Sequence, residues 1–300
     1  MTNDFSCLLS ESSKIIEKEL EKYVNKENSY GLNEVMAYSL LNGGKRIRPF
    51  IVLEASKLFS KSNDIKAALP YACALEMVHT YSLIHDDLPC MDNDDYRRGR
   101  LTNHKVYGED KALLAGDSLL TYAFEVMSSN EYVSASSIRY AVKALAKYAG
   151  FSGMAGGQMI DLNSAGNISS LEELKAMHSL KTAALIKCAV VLGYLSVVDA
   201  PSMDIIYDLE KYAENIGIAF QIKDDILDKT STSEELGKPV GSDEKNGKTT
   251  SLTFLTIDEA QSLVNNLTIE AISIIEKYYP NDEKEHSLVE LAKFMVNRKK

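Results

Sequence analysis

The chain has 300 residues, of which 45% are hydrophobic, so it is long enough to bury a sizeable core. Its 33 lysines and arginines against 43 aspartates and glutamates leave a net charge of −10, which argues against a broad nucleic-acid or anionic-membrane surface. Apolar residues recur at helical spacing over long segments, whereas alternating β-branched runs are scarce, so the sequence predicts an all-α fold.

The sequence also indicates a single soluble unit. No domain linker or internal repeat interrupts it, so we expect one domain over residues 1–300. Residues 1–10 contain no basic residue and precede no sustained apolar run, and the most apolar run, residues 183–198, is interrupted by Lys187 and is too short to span a bilayer. The four cysteines lack metal-site spacing, which favours free thiols in a reducing cytoplasm.

A basic segment follows the first two predicted helices, residues 5–24 and 31–41. The second helix is ended by Asn-Gly-Gly at residues 42–44, and the chain continues as Lys-Arg-Ile-Arg-Pro, in which the proline fits a first helical turn. The glycines let the backbone approach a ligand closely, and helix N-termini bind anions. Lys45 and Arg48 are therefore candidates for holding a diphosphate, with a solvated basic helix start as the alternative.

An acidic stretch, residues 85–99, ends the apolar segment 71–84. That segment is apolar on nearly every side, which predicts a central helix that carries its acidic end into the fold. Pro89 should make the helix bulge or stop, and a bulge could bring Asp86 and Asp92 onto one ion. Clustered hard oxygen ligands suit Mg²⁺, and the following Arg-Arg pair offers forks for phosphate oxygens; the alternative is a solvated acidic loop.

Two further predicted helices carry residues of interest. In residues 151–162, Gly157 and Asp161 share a face; because helical glycines are unfavourable, either another helix or a ligand should pack closely there. In residues 171–198, Lys181 either extends its ammonium group to water or neutralises an anion, and Thr182 can bend the helix by bonding to a backbone carbonyl. The connection over residues 100–109 is predicted to be polar and without regular structure.

A second acidic cluster lies in residues 217–228. As a helix, this segment places on one stripe the residues Gly217, Phe220, Gln221, Asp224 and Asp228. The acidic end is typical of a metal site and the other end of an apolar pocket wall. Residues 236–250 have the composition of a mobile loop, whose Lys238 and Lys248 could close over a charged ligand.

Taken in order, these segments resemble the trans-prenyltransferase (polyprenyl synthetase) family across nearly the whole chain. The match rests on residues 43–49, the stretch 86–99, Lys181-Thr182, residues 217–228 and the lysines of the 236–250 loop. The two-residue enlargement of the first acidic motif at Pro89-Cys90 resembles the branch that contains bacterial farnesyl and plant-type geranylgeranyl diphosphate synthases.

The resemblance implies a helical bundle around a deep apolar cavity, a homodimer, and Mg²⁺ that bridges an allylic diphosphate to both acidic motifs. The metal-binding residues it implies are Asp86, Asp92 and Asp224, supported by Asp87, Asp225 and Asp228. Isopentenyl diphosphate is expected on Lys45, Arg48, His79 and Arg98, beside Gly44. The allylic diphosphate is expected on Arg97, Lys181, Gln221, Lys238 and Lys248.

The resemblance also implies the chemistry. Ionisation of an allylic diphosphate leaves a carbocation, which the Lys181 carbonyl, the Thr182 hydroxyl and the Gln221 amide are expected to face. A bulky residue five positions before the first motif stops the growing chain; here it is Tyr81, followed by Ser82. We therefore expect farnesyl diphosphate, made from isopentenyl diphosphate with dimethylallyl and then geranyl diphosphate.

Three alternatives remain open at this point. One is a geranylgeranyl diphosphate synthase of the same fold, and another is a non-catalytic prenyltransferase subunit. The third is a carboxylate-bridged iron protein, which requires Glu-x-x-His pairs on facing helices. Two such spacings occur, Glu76 to His79 and Glu283 to His286, although the second lies in a strongly polar stretch.

Overall fold

The computed structural model describes residues 3–25, 30–60, 64–164, 168–230, 249–279 and 286–297. Over these residues the chain is helical apart from one two-stranded hairpin, which confirms the all-α class. The first seven helices are α1 Asn3–Val24, α2 Leu32–Leu40, α3 Ile47–Phe59, α4 Leu69–Asp86, α5 Asn103–Tyr107, α6 Glu109–Ser128 and α7 Ala135–Ala149, with strands β1 Tyr96–Arg97 and β2 Arg100–Leu101 before α5. The others are α8 Met154–Ser164, α9 Leu171–His178, α10 Ala184–Leu195, α11 Met203–Thr230, α12 Ile257–Glu276 and α13 Ser287–Asn297.

Contacts divide the chain into two compact units. The first comprises Met1–Lys143 with Leu192–Ala200, and the second comprises Ala144–Val191 with Pro201–Lys300. The expectation of one domain over residues 1–300 stays a prediction.

Helix α4 is the centre of the first unit. It packs against α6 and α3, and its first three turns are buried on all sides, with Tyr71, Leu75 and Met77 fully inside. This burial is what a helix that is apolar all round requires. The helix thus extends the predicted segment 71–84 by two residues at each end, and its last residue is Asp86.

The polar connection predicted over residues 100–109 was wrong, because it contains strand β2 and helix α5. Strand β2 pairs antiparallel with β1. The buried Asn103 amide donates to the Val35 carbonyl at 2.9 Å and to Ser39 Oγ at 2.8 Å, which fixes the start of α5 on α2. Its polar residues are therefore ordered by long-range hydrogen bonds that local composition does not reveal.

The second unit is organised around α11, which packs against α12 and α13. Ile222 and Ile226 of α11 meet Ala260 and Val264 of α12 in a buried cluster, and the buried Tyr212 hydroxyl donates to the Leu288 carbonyl at 2.7 Å. The acidic stripe predicted on a helix over residues 217–228 accordingly lies in the second half of a 28-residue helix.

Helices α9 and α10 form one continuous helix, Leu171–Leu195, joined by a π-helical turn, Ser179–Ala183. By length and composition this helix could cross a membrane, although the sequence predicted no segment long enough; 67% of its most apolar window is buried inside the protein, as in the core helices of soluble proteins. The predicted bond from Thr182 to a backbone carbonyl was wrong, because its hydroxyl donates to Gln221 Oε1. The helix departs from regular α-geometry there through the π-helical turn, a feature frequent at functional sites.

Candidate active site

The loop between α2 and α3 is held by a buried arginine. Arg46 has a left-handed backbone (φ 48°), and its guanidinium donates to Glu76 Oε1 and to the Leu40 carbonyl, both at 2.7 Å. Both charged side chains are almost completely buried, so Glu76 depends on Arg46 for charge compensation, while Arg46 Nε also lies 3.5 Å from Glu17 Oε1. This pair fixes the start of α3, from which Lys45 and Arg48 extend.

A cavity of about 480 Å³ opens beside this loop. It is lined by all five residues predicted to surround isopentenyl diphosphate, namely Gly44, Lys45, Arg48, His79 and Arg98. Among the described residues that line it, Glu76 is the one carboxylate, and Arg46 already neutralises it. The cavity therefore carries excess positive charge, which favours an anion.

The buried face of this cavity pairs a histidine with an arginine. Arg48 Nη1 lies 3.3 Å from His79 Nε2. Burial, together with the nearby Arg48 and Arg98, holds the pKa of His79 well below its usual value, so the neutral ring can accept this hydrogen bond. Arg48 Nε is buried without a hydrogen-bond partner among the described residues, as expected of a donor awaiting an anion.

Gly44 gives room to Arg98 in this structure. The Arg98 guanidinium donates to the Gly43 carbonyl, and a Cβ atom on Gly44 would lie 2.6 Å from Arg98 Nη1. The Gly44 backbone is also left-handed, with φ 113°. The predicted close approach at this glycine is thus made by an arginine that extends across it into the cavity lining.

The first acidic motif turns back on itself directly after α4. The backbone N–H of Asp92 donates to the carbonyl of Asp86 at 2.9 Å, and the N–H groups of Met91 and Asn93 donate to the carbonyl of Leu88. The predicted stop before Pro89 therefore brings the backbones of the two aspartates side by side. Asp86 is half-buried and Asp92 is exposed. Carboxylate oxygens are hard donors of the kind that Mg²⁺ takes, typically one or two from the protein with water and phosphate completing the shell.

Asp87 is placed differently from its neighbour Asp86. It is buried, and Arg97 contacts its carboxylate through Nε at 2.8 and 2.9 Å and through Nη2 at 2.6 Å. Burial raises the pKa of the Asp87 carboxyl, while the Arg97 guanidinium acts to lower it. This bidentate pair connects β1 to the end of α4 and so stabilises the conformation of the acidic motif between them.

Tyr81 and Ser82 lie one turn before this motif. The Tyr81 ring is half-buried and contacts the ring of His85 edge to face, with centroids 5.7 Å apart. His85 Nε2 lies 3.2 Å from the Leu113 carbonyl and fits against Gly116 of α6, where a Cβ atom would collide with the imidazole. The Ser82 hydroxyl bonds to the carbonyl of His79 at 2.8 Å. Tyr81 is therefore the bulkier and better supported of the two predicted floor residues.

In the second unit, two glycines pack against the π-helical turn. A Cβ atom on Gly157 of α8 would collide with the backbone of Leu180 and Lys181, and one on Gly217 of α11 would lie 2.5 Å from Ala183 Cβ. The close approach that the sequence predicted at Gly157 is thus made by another helix. Both neighbours fit tightly against the turn that carries Lys181 and Thr182.

Polar contacts orient the side chains of this turn. Thr182 Oγ1 donates to Gln221 Oε1 at 2.9 Å, and Lys181 forms an ion pair with Asp161 of α8. Because the threonine hydroxyl directs its proton to Gln221, its oxygen lone pairs remain available to a positive charge. The predicted trio of Lys181, Thr182 and Gln221 is therefore assembled in one place.

The second acidic cluster divides its three aspartates between different surroundings. Asp225 is buried and accepts a hydrogen bond from the backbone N–H of Ser251 at 2.7 Å, which anchors the single 3₁₀ turn Ser251–Thr253. Asp228 is buried and Asp224 is half-buried, one turn beyond Gln221. Lys238 and Lys248 lie outside the described residues.

The sequence did not predict the Arg46–Glu76 pair. This pair bears on the alternative of a carboxylate-bridged iron protein, which requires Glu76 and His79 as iron ligands. In the structure Glu76 bonds to Arg46, and His79 contacts Arg48. Both residues of the first Glu-x-x-His pair therefore contact arginines. Glu283 lies outside the described residues, and no group of three His, Cys, Asp or Glu side chains in the described part of the chain is placed to hold a metal. A charged residue inside an apolar helix was the signal that could have flagged Glu76 as half of a buried pair.

A buried histidine next to the π-helical turn gives a pH-dependent prediction. Burial lowers the pKa of His178 from 6.5 to about 4, although Asp161 acts to raise it. Between these values the unfolded chain binds a proton that the folded chain does not, so the free energy of unfolding falls as pH falls, by about 3 kcal/mol in all.

The variant His178→Phe should remove this dependence. Chemical denaturation of both proteins from pH 7 to 4 should show the wild type losing more stability than the variant below about pH 6.5. Parallel curves would mean that His178 titrates normally in the folded protein.

The first unit thus combines a cationic cavity with an acidic motif at the end of α4, features that suit a class of proteins that bind phosphate-bearing ligands. The chain belongs to the polyprenyl synthetase family, whose model matches residues 30–290. It is 46% identical over 264 residues to the farnesyl diphosphate synthase of Bacillus subtilis, covering 87% of this chain and 88% of that protein. It is also 43% identical over 297 residues to the chloroplastic geranylgeranyl pyrophosphate synthase of Catharanthus roseus, covering 98% of this chain and 82% of that protein.

A solved structure of a related prenyl-transferring enzyme has a similar fold. The geranyltransferase of Helicobacter pylori, crystallised with magnesium and isoprenyl diphosphate, superposes with a TM-score of 0.79 at 30% identity, covering 99% of this chain and 98% of that one. The predicted isoprenoid-synthase type of helical fold is thereby confirmed. The chain is a trans-prenyltransferase of isoprenoid biosynthesis, and its relatives carry both farnesyl and geranylgeranyl names.

Proposed function

We propose that this protein is a Mg²⁺-dependent farnesyl diphosphate synthase that acts in the cytoplasm as a homodimer. It condenses isopentenyl diphosphate with dimethylallyl diphosphate and then with geranyl diphosphate. The observation that carries the product assignment is Tyr81, a half-buried aromatic five residues before Asp86 whose ring is supported by His85. An aromatic ring there limits the space below the acidic motif in which a prenyl chain could grow.

In this proposal the first unit holds the nucleophile. The diphosphate of isopentenyl diphosphate binds Lys45, Arg48 and Arg98, while neutral His79 orients Arg48. The unpartnered Arg48 Nε supplies a donor that a phosphate oxygen would satisfy. Gly44 has no side chain to occupy the space that the Arg98 guanidinium needs.

Asp86 and Asp92 of the first unit are proposed to bind Mg²⁺, and Asp224 of the second unit is proposed as a further ligand, with Asp228 in support. Bound Mg²⁺ would neutralise charge on the departing diphosphate. Asp87 and Asp225 act in support, because each is engaged by another part of its own unit. Arg97, held by Asp87, and the loop lysines Lys238 and Lys248 complete the predicted set for the allylic diphosphate.

The second unit supplies the dipoles for the carbocation. The Thr182 hydroxyl keeps its oxygen lone pairs available because its proton bonds to Gln221. The Lys181 carbonyl, proposed to face the cation, belongs to the π-helical turn. The alkene of isopentenyl diphosphate attacks the cation, and the proton that is then lost goes to the departed diphosphate. Each dipole is fixed before the reaction, so little reorganisation accompanies the charge.

Product analysis tests this proposal directly. Purified protein with Mg²⁺, labelled isopentenyl diphosphate and either dimethylallyl or geranyl diphosphate should give farnesol as the main alcohol after dephosphorylation. The geranylgeranyl alternative, favoured by relatives of that name, predicts a twenty-carbon alcohol and would overturn the farnesyl assignment. No Mg²⁺-dependent product would favour the non-catalytic subunit, and chelation of Mg²⁺ serves as the blank.

Removing the Tyr81 ring is expected to lengthen the product. Tyr81→Ala opens space one turn below the first motif, so chains of twenty carbons or more should replace most of the farnesyl product. Tyr81→Phe keeps the ring and should keep the farnesyl product. Equal product lengths in the alanine and phenylalanine variants would show that another residue forms the floor.

A further inference from the structure

The second unit contains a polar cluster that the proposed reaction does not use. Lys187 Nζ of α10 lies 2.9 Å from both Ser179 Oγ and Glu214 Oε1, and the Ser179 hydroxyl donates to the same carboxylate oxygen. The side chains of Lys187 and Glu214 are 17% and 31% exposed. Burial acts to raise the pKa of Glu214, but these hydrogen bonds lower it, so the carboxylate stays charged. We call Ser179, Lys187 and Glu214 the polar clamp.

The contact between Ser179 and Lys187 requires the π-helical turn. Residues eight apart in a regular α-helix lie about 80° from facing the same way. A π-helical turn contains one more residue than an α-helical turn. Ser179 and Lys187 therefore have the geometry of residues seven apart in an α-helix, about 20° from facing the same way. A helical side chain leans toward the N-terminus, which directs the long Lys187 chain back to Ser179. The polar clamp therefore fits the π-helical register and not the α-helical one.

One face of α11 reaches both ends of the π-helical turn. Glu214, Gly217 and Gln221 recur at spacings of three and four and lie on a single stripe. Glu214 bonds to Ser179 at the first residue of the turn, Gly217 packs on Ala183 at its last residue, and Gln221 bonds to Thr182. The stripe thus contacts the turn at its first residue, at its last residue and at the hydroxyl of Thr182.

We propose that Ser179, Lys187 and Glu214 are positioning residues, which hold the π-helical turn in the register that directs the Lys181 carbonyl and the Thr182 hydroxyl to the carbocation. The inference rests on the proposed function, since it assigns these two groups to the reaction. In an uninterrupted α-helix the same carbonyl would be engaged by the next helical turn, and Thr182 would rotate away from Gln221.

A double-mutant cycle tests the clamp. Lys187→Met and Glu214→Gln should each lower kcat, up to about 100-fold, because a displacement of about 1 Å in a reacting group costs that much. The KM for isopentenyl diphosphate should stay within about twofold, since its cavity is built from other residues. The kcat of the double variant should be no lower than that of the less active single variant, because both changes break the same cluster.

The matched control is Lys147→Met. Lys147 pairs at 3.1 Å with Glu210, one turn before Glu214 on α11, but this pair does not touch the π-helical turn. Its removal should leave kcat unchanged. Additive losses in the cycle, unchanged kcat, or a fall in activity that only follows the folded fraction would overturn the proposal. If Lys187→Met does not fold, Ser179→Ala replaces it, with the same expected fall in kcat at constant KM.

Hydrogen exchange separates the clamp from the proposed function. If the wild type forms no prenyl product, the proposed function fails, and the clamp is then judged by the backbone amides of residues 183–187. Their exchange should accelerate in Glu214→Gln relative to the Lys147→Met control. Equal exchange in the two variants would overturn the clamp.

Discussion

Replacing Asp86 by asparagine is expected to abolish prenyl transfer without unfolding the protein. The change removes one of the two proposed metal-binding carboxylates, whose backbones the turn after α4 brings side by side. The rate should therefore fall by on the order of 1,000-fold, as when one essential electrostatic group is removed from an active site. Steady-state kinetics at saturating Mg²⁺ measure this loss.

The stability of this variant should barely change. Asp86 is the last residue of α4, where a negative charge is unfavourable against the helix dipole, and the nearby Arg97 offsets part of that cost. The two effects oppose each other, so the free energy of unfolding should stay within about 1 kcal/mol of the wild type. A large loss of stability would mean that Asp86 has a structural role instead.

Asp95→Asn is the control within the same acidic stretch. The Asp95 side chain is exposed and pairs with Lys105 at 2.8 Å. Its removal lowers the local negative charge by the same amount but leaves Asp86 and Asp92 in place, and activity should be close to normal. Equal losses in the two variants would indicate that charge density, and not a specific pair of ligands, supports the reaction.

Arg46→Met is expected to lower the free energy of unfolding by about 3–5 kcal/mol, because it leaves the buried Glu76 carboxylate without its partner. The Leu40 carbonyl also loses its donor. Loosening of this loop should disturb Lys45 and Arg48 as well, so the KM for isopentenyl diphosphate should rise in whatever fraction remains folded. Denaturant titration and substrate kinetics measure the two effects.

The double variant Arg46→Met with Glu76→Leu separates charge burial from loop shape. Two apolar side chains leave no buried charge, so most of the lost stability should return. Lys105→Met is the control, because its exposed pair with Asp95 contributes about 1 kcal/mol or less. Should Arg46→Met unfold no more easily than Lys105→Met, the buried pair would not be what holds the loop.

The sequence predicted most helices well because burial imposes a local period. Segments 5–24, 71–84 and 217–228 all lie in helices, since their apolar residues recur as a packed helix requires. The sequence also predicted the break at Pro89, because proline acts on its immediate neighbours. The five residues expected around isopentenyl diphosphate line one cavity, although three separate segments supply them.

Pairing between distant residues was beyond the sequence. No local pattern indicates that Arg97 pairs with Asp87, that Arg98 lies against Gly44, or that Arg46 pairs with Glu76. These contacts form only when the helices pack, because the partners come from different segments. The same holds for Asn103, whose polar surroundings predicted a loop but whose buried amide fixes a helix.

By itself, the sequence determined the fold class, the family and the two acidic motifs, because these depend on periodicity and on residue types at fixed spacing along the chain. Only the tertiary structure showed that Asp87 pairs with Arg97 and that Asp225 anchors the backbone of Ser251. It alone revealed the π-helical turn that carries Lys181 and Thr182, because that register depends on α8, α10 and α11 packing around it. Local propensity favours an uninterrupted α-helix there, and contacts from distant segments override it.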